Sequence, residues 1–192
     1  MEGKIKIGVI IASTRAARNG KQIADWVKTT TDKDDTAEYT YLDLAEINLP
    51  FLNEPQTPSG GNYTLESTKA WAAQIAPLDG FLIVTPEYNH GYPASLKNAI
   101  DTLYAEWDKK PVSYVGYGVM GAARSIEQLN NVLLQIHMHP IVSAATNILI
   151  YEHLDQNGQF VPADKHQKAL DYTLSQLHDW TKLLRAARLA QA

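Results

Sequence analysis

Short apolar segments alternate along the chain with longer segments of helical periodicity, and this alternation constrains the fold more than any other feature. Clear strand candidates are Ile5 to Ala12, Glu38 to Leu44, Gly80 to Thr85 and Val112 to Tyr117, and a fifth lies near Ile141 to Ile150. Their apolar content predicts burial on both faces of a sheet that helices cover. The alternation is typical of βαβ units and predicts an α/β fold with a parallel sheet.

Five segments between and after these strands repeat apolar residues at the spacing of an amphipathic helix. The clearest carries Leu96, Ala99, Ile100 and Leu103, and the last follows Pro162. The chain shows neither an internal repeat nor a linker between regions of different composition. At 192 residues it can bury a core without disulfides or a structural metal. We therefore expect a single domain over residues 1–192.

Cysteine content and net charge exclude several classes of protein. Cysteine is absent, which excludes a thiol nucleophile, a disulfide framework and an iron–sulfur cluster. The net charge of −4 gives no basic surface for nucleic acid or an anionic membrane. The apolar run Ile5 to Ile11 is too short to cross a bilayer. We expect a cytoplasmic protein with small-molecule partners.

The first strand is followed by a loop suited to a phosphate monoester. Ligands of open parallel sheets bind at the carboxyl ends of the strands. Here residues Ser13 to Lys21 combine hydroxyls and guanidinium groups with the free N–H groups of a helix start. The alternative is that Ser13 or Asn19 only caps the helix and the arginines are solvated. Neither GxGxxG nor GxxxxGK occurs, which disfavours a dinucleotide-binding dehydrogenase and a P-loop enzyme.

The loops after the third and fourth strands have the composition of a site for a flat ring. Residues Thr85 to Pro93 contain Tyr88 and Tyr92, which offer stacking surface, and Gly116 to Gly121 allow close backbone approach to a ligand. The alternative is an ordinary turn with packing aromatic side chains.

Several of these segments together resemble the NADPH-dependent FMN reductase family. They are Ser13-Thr14-Arg15 after a strand, Asn48-Leu49-Pro50, Pro86-Glu87-Tyr88-Asn89, Leu96 to Asp101, and Lys110-Pro111 before a glycine-containing loop. The resemblance implies a flavodoxin-like three-layer sandwich with a five-stranded parallel sheet in the order 2-1-3-4-5. It also implies non-covalent FMN, NADPH or NADH as electron donor, and quinones, azo dyes, metal ions or free flavin as electron acceptors. The resemblance further implies that the protein is a homodimer or a homotetramer.

The same resemblance assigns the cofactor-binding residues. Ser13 and Arg15 would hold the FMN phosphate, and the isoalloxazine would be lined by Pro86, Glu87, Tyr88 and Asn89. Gly116, Tyr117 and Gly118 would close over its other edge. No catalytic side chain is assigned, because the flavin carries the chemistry itself.

Two positions depart from the family pattern. Many members have serine where Arg18 stands and asparagine where Gly20 stands. Arg18 then either binds the phosphate directly or reaches toward the 2′-phosphate of NADPH, and both interpretations stay open.

Other functions are weaker alternatives. A flavodoxin-type electron carrier would bind FMN without nicotinamide turnover, and a regulatory module would have lost the ligand. His137 and His139 lack an assured third ligand for a metal site. The long irregular segment Ala45 to Asn62 is interpreted as a lid, a subunit contact or a solvated excursion.

Overall fold

The computed structural model describes residues 3–190 and contains one parallel β-sheet covered by helices on both faces. The strands run in the order β2-β1-β3-β4-β5, with β6 also paired to β4. Their bounds are β1 (Ile5–Ile11), β2 (Ala37–Asp43), β3 (Gly80–Pro86), β4 (Pro111–Gly118), β5 (His139–Pro140) and β6 (Thr146–Leu149). The expected flavodoxin-like fold and strand order are confirmed.

The edge position beside β4 is shared by two short strands rather than one long strand. β5 pairs with the start of β4, a single 3-10 turn at Val142–Ala144 follows, and β6 pairs with Val115 to Gly118. Directly after β5, the N–H of Ile141 still donates to the carbonyl of Val112 at 2.8 Å, and the ladder is interrupted at the turn. Of the predicted strand from Ile141 to Ile150, only Thr146–Leu149 is a strand, and β5 lies before it. Among residues 3–190 the sheet therefore has six strands where five were expected.

Six helices between residues 3 and 190 flank the sheet. They are α1 (Asn19–Thr31), α2 (Leu44–Ile47), α3 (Glu66–Ile75), α4 (Ala94–Asp101), α5 (Ala123–Gln135) and α6 (Asp164–Leu189). Five correspond to the predicted helices. The additional one, α2, is a four-residue helix that begins directly after β2.

Two separate cores lie on the two faces of the sheet. On one face, side chains of α1 and α6 such as Ile23 and Leu174 pack on Val9 and Leu82. On the other face, α3, α4 and α5 pack on the sheet, and the core is formed by Trp71, Phe81, Ile83, Leu96, Trp107, Leu129 and Leu133. The buried indole N–H of Trp71 donates to the carbonyl of Ala99 at 2.8 Å. This three-layer packing fixes the loops at the carboxyl edge of the sheet.

No helix between residues 3 and 190 is long and apolar enough to cross a membrane.

Candidate active site at the carboxyl edge of the sheet

The loops after β1, β3 and β4 meet at the carboxyl edge of the sheet, as the sequence predicts. Because β1 and β4 both pair with β3 in parallel, their carboxyl ends point the same way. Ser13, fully buried after β1, lies with its Oγ 2.6 Å from the hydroxyl of Tyr88 in the loop after β3. This hydrogen bond joins the two loops across the edge.

Arg15 and Arg18 have different environments. Arg15 is exposed, and it has no hydrogen bond or ion pair with any residue in the described part of the chain. Arg18 is largely buried, and its Nη2 donates to Oδ2 of Asp43 at 2.6 Å. The Nε atom of Arg18 is also buried, and no group among residues 3–190 accepts from it.

Asp43 holds this guanidinium from the end of β2. Its side chain is 6% exposed, and its second oxygen accepts from the backbone N–H of Ala45 at the start of α2. The carboxylate therefore fixes Arg18 and α2 together. Because a buried charge must be paired, Asp43 explains how a cation is tolerated at this position.

The first turn of α1 leaves its N–H groups available. Arg18 is the N-cap residue, its side chain makes no capping hydrogen bond, and the first turn contains no acidic residue. The positive end of the helix dipole and these N–H groups attract anions. Neither Ser13 nor Asn19 is the N-cap residue of α1, so that alternative is wrong.

The loop after β3 contains a tight turn with unusual backbone angles. Tyr88 and Gly91 exchange both backbone hydrogen bonds at 2.9 Å, and the two residues between them have positive φ, 49° at Asn89 and 69° at His90. Two successive positive φ values are typical of a type I′ turn, in which glycine or asparagine is preferred. Strain of this kind clusters at binding sites, where the surrounding structure enforces it.

Arg124 supplies that enforcement through Glu87. Its Nε donates to Glu87 Oε1 at 2.6 Å, and its backbone N–H donates to Oε2 at 3.1 Å. Its Nη1 lies 2.9 Å from Nε2 of His90, and Gln128 of the same helix donates to the carbonyl of His90. The Glu87 carboxylate thus caps α5 from another loop and holds the turn in place.

The loop after β4 approaches the other two loops closely. An ideal Cβ at Gly116 would lie 2.5 Å from the carbonyl oxygen of Gly121, so only glycine fits there. Gly118 has a φ of 156° and lies against Glu87. Tyr117, between them, directs its hydroxyl away from this loop and toward α1, where the oxygen would lie 2.6 Å from a Cβ on Gly20.

A cavity of about 470 Å³ opens beside the first loop. Thr14 and the first turn of α4 form one wall, and α2 with the segment after it forms the other. Asn98 fastens this segment, because its side chain donates to the carbonyl of Pro50 and accepts from the N–H of Leu52. Glu54 accepts from the backbone of Thr64 and Leu65 before α3. The irregular segment Ala45 to Asn62 is therefore anchored at several points.

The histidines that the sequence analysis discounted as metal ligands contact other groups. His137 Nδ1 lies 3.0 Å from Oδ1 of Asp108, and the ring of His139 stacks on Trp180 with centroids 4.2 Å apart.

Sequence reasoning missed two residues of this site, Asp43 and Arg124. Asp43 is a carboxylate at the end of a predicted strand, and that position could have indicated it. Arg124 stands at the start of a helix, where nothing in the sequence distinguishes it from a solvated cation.

Comparisons with known proteins identify the family of this chain. The family model for NADPH-dependent FMN reductase matches residues 5–149. An NAD(P)H-dependent FMN reductase of Schizosaccharomyces pombe is 43% identical over 145 residues, covering 73% of this chain and 72% of that protein. A 2-hydroxy-1,4-benzoquinone reductase of a Burkholderia species is 25% identical, covering 93% of this chain and 97% of that protein.

Among solved structures, the flavoenzyme NAD(P)H:(acceptor) oxidoreductase FerB of Paracoccus denitrificans superposes with a TM-score of 0.72. It is 23% identical and covers 93% of this chain and 97% of its own. This likeness supports the fold. The family match favours a reductase over a flavodoxin-type electron carrier. The chain belongs to the NADPH-dependent FMN reductase family, as an oxidoreductase with FMN as its flavin and NAD(P)H as its electron donor.

Proposed function

We propose that this protein binds FMN non-covalently at the carboxyl edge of the sheet and reduces quinones with NAD(P)H. The phosphate would lie at the first turn of α1, and the ring would lie against the Pro86 to Asn89 loop. The observation that carries the proposal is the largely buried Arg18, whose Nε lacks a partner among the described residues at an uncapped helix start. A phosphate oxygen is the acceptor that such a donor set fits.

Each loop has a distinct part in this proposal. Arg15, exposed and without a hydrogen bond or ion pair among residues 3–190, would add a second cation beside the phosphate. The turn at Asn89 and His90 presents a fixed surface to the ring, because Glu87 and Arg124 hold it. Gly118 lies against Glu87 and brings the backbone of the third loop close to the same place.

Bound FMN supplies the hydride transfer chemistry, so the protein has to position both substrates and exclude water. A hydride from the nicotinamide and one proton from solvent convert a quinone to its hydroquinone. Phe51, 79% exposed at the cavity beside Thr14, offers an apolar surface to a flat aromatic acceptor. The likeness to a benzoquinone reductase supports this class of acceptor. Azo dyes, metal ions and free flavin are further candidate acceptors.

We also propose that the protein is a cytoplasmic homodimer or homotetramer. Phe51 and Leu52 are exposed apolar side chains on a segment that Asn98 fixes, which supports an intersubunit contact there. Light scattering over a concentration series measures the assembly directly.

Anaerobic reduction of the FMN-loaded protein tests the function. We expect NADPH or NADH to bleach the flavin spectrum, and benzoquinone to restore it with formation of hydroquinone. We expect Arg18→Ala to weaken FMN binding at least tenfold, because a charged hydrogen bond is lost. Lys28→Ala, which removes an exposed cation at the far end of α1, should leave FMN binding unchanged. A flavin that binds but is not bleached by either nicotinamide would overturn the reductase and favour the electron carrier.

A further inference from the structure

The hydroxyl of Tyr117 is a buried polar group that lacks a satisfying hydrogen bond in the described part of the chain. The residue is 5% exposed, and its hydroxyl makes no hydrogen bond of ordinary geometry within residues 3–190, since the nearby Ser13 hydroxyl is bonded to that of Tyr88. Leaving a buried hydroxyl without a partner costs stability, so such a group points to a missing ligand. Burial raises the pKa of Tyr117, as does Tyr88, whereas Ser13, Arg18 and Arg15 act in the opposite direction. The neutral hydroxyl is therefore a donor in cationic surroundings.

Gly20 marks where this hydroxyl points. An ideal Cβ at Gly20 would lie 2.6 Å from the Tyr117 oxygen and 3.4 Å from Cζ. A side chain at position 20 and the tyrosine hydroxyl cannot occupy that space together. Gly20 is in the first turn of α1, whose N–H groups are uncapped, so the hydroxyl lies at the helix start.

The Tyr117 hydroxyl therefore occupies the space that a side chain at position 20 of α1 would fill. Position 20 is one of the two departures from the family pattern, since many members have asparagine there. Tyr117 belongs to β4, which is separated from β1 by β3, yet its hydroxyl reaches the start of α1 at Gly20. The family resemblance implied that Tyr117 closes over the edge of the ring, and the position of its hydroxyl suggests a role at the phosphate instead.

We propose that Tyr117 donates a hydrogen bond to the phosphate of FMN and replaces the asparagine amide that Gly20 has removed. The inference rests on the proposed function, because it needs FMN at this edge of the sheet. It makes Tyr117 a specificity-determining residue for the phosphorylated flavin.

Binding of FMN and of riboflavin to the apoprotein, measured by quenching of flavin fluorescence, separates the phosphate contribution from that of the ring. We expect Tyr117→Phe to raise the Kd for FMN roughly 10- to 100-fold and to leave the Kd for riboflavin unchanged. The melting temperature of the apoprotein should stay the same or rise, because the variant removes an unsatisfied buried group.

Tyr114→Phe is the matched control on the same strand. The Tyr114 hydroxyl is hydrogen bonded to Oδ1 of Asn130 at 2.5 Å on the other face of the sheet. Its removal should lower the melting temperature and leave the ratio of the two Kd values unchanged.

A swap of the two positions provides the second test. Gly20→Asn alone should weaken FMN binding, since its Cβ collides with the tyrosine hydroxyl. Gly20→Asn combined with Tyr117→Phe should regain FMN affinity relative to Tyr117→Phe alone. If Tyr117→Phe weakens FMN and riboflavin equally, or neither, the inference is wrong while FMN binding by the wild type still supports the proposed function. If the wild type binds neither flavin, the proposed function fails first.

Discussion

Glu87 and Arg124 are 37 residues apart in sequence and form an ion pair in which one carboxylate oxygen, Glu87 Oε1, lies 2.6 Å from Nε and 2.5 Å from Nη2 of the guanidinium. The carboxylate is 6% exposed, whereas the guanidinium is 39% exposed. Removing Arg124 would therefore leave a buried carboxylate without its cation.

We expect Arg124→Met to lower the free energy of unfolding by roughly 1–3 kcal/mol, measured by urea denaturation. The Kd for FMN should rise about tenfold, because the turn at Asn89 and His90 loses its support. Arg124→Met combined with Glu87→Gln should cost less than the sum of the single changes, since the pair is lost once. Additive losses would show that the two side chains act independently.

The positive φ of Asn89 gives a prediction about the apoprotein alone. Asn89→Gly should leave the free energy of unfolding within about 1 kcal/mol of the wild type, because glycine adopts this conformation without strain. Asn89→Val should lower it by roughly 1–3 kcal/mol, because a β-branched side chain disfavours positive φ. Equal stability of the two variants would contradict the turn geometry.

Close packing at Gly116 gives a test of the third loop. We expect Gly116→Ala to lower the free energy of unfolding by roughly 1–3 kcal/mol, because the added methyl meets the carbonyl oxygen of Gly121. Gly60→Ala is the control, since the nearest atom to its added methyl is the side-chain nitrogen of Asn62 at 3.6 Å. Urea denaturation of both variants should show a loss for the first alone.

The buried ammonium of Lys110 makes the free energy of unfolding depend on pH in the alkaline range. Burial lowers the pKa of its ammonium from 10.5 to about 8, with a further lowering by Arg188, although Nζ donates to the carbonyls of Ile75 and Ala76. Between these two values the unfolded chain binds more protons at this site than the folded chain does. The contribution of Lys110 to the free energy of unfolding therefore rises with pH over this interval.

Urea denaturation of the wild type and of Lys110→Met at about pH 7 and about pH 10 measures that contribution. We expect the wild type to gain roughly 1–3 kcal/mol relative to the variant between the two pH values. An identical pH dependence of both proteins would show that the ammonium has its ordinary pKa when folded.

The central strands could be predicted from sequence because burial on both faces makes them continuous apolar segments, as at Ile83 and Val84. The bounds of the edge strand were predicted wrongly, because a 3-10 turn at Val142–Ala144 interrupts an otherwise apolar segment. The short helix α2 was not predicted, because four residues are too few to show helical periodicity. That three loops meet at the site could be predicted from the topology, whereas the side-chain partners within the site could not.

Those partners are separated by long stretches of chain. Arg18 and Asp43 are 25 residues apart, and Tyr117 and Gly20 lie on different elements. Such pairings depend on how β-strands register and helices pack, which a single sequence does not encode locally. The assignment of the FMN-binding residues themselves stays a prediction until binding is measured.

The divided edge strand has a consequence for how the protein behaves at high concentration. An uninterrupted outer strand would present a straight row of amide and carbonyl groups on which another molecule could add its own strand. Here β5 has two residues, one of which is Pro140, and β6 has four, with a 3-10 turn between the two strands. On this side the sheet is therefore a poor template for ribbon-like aggregation.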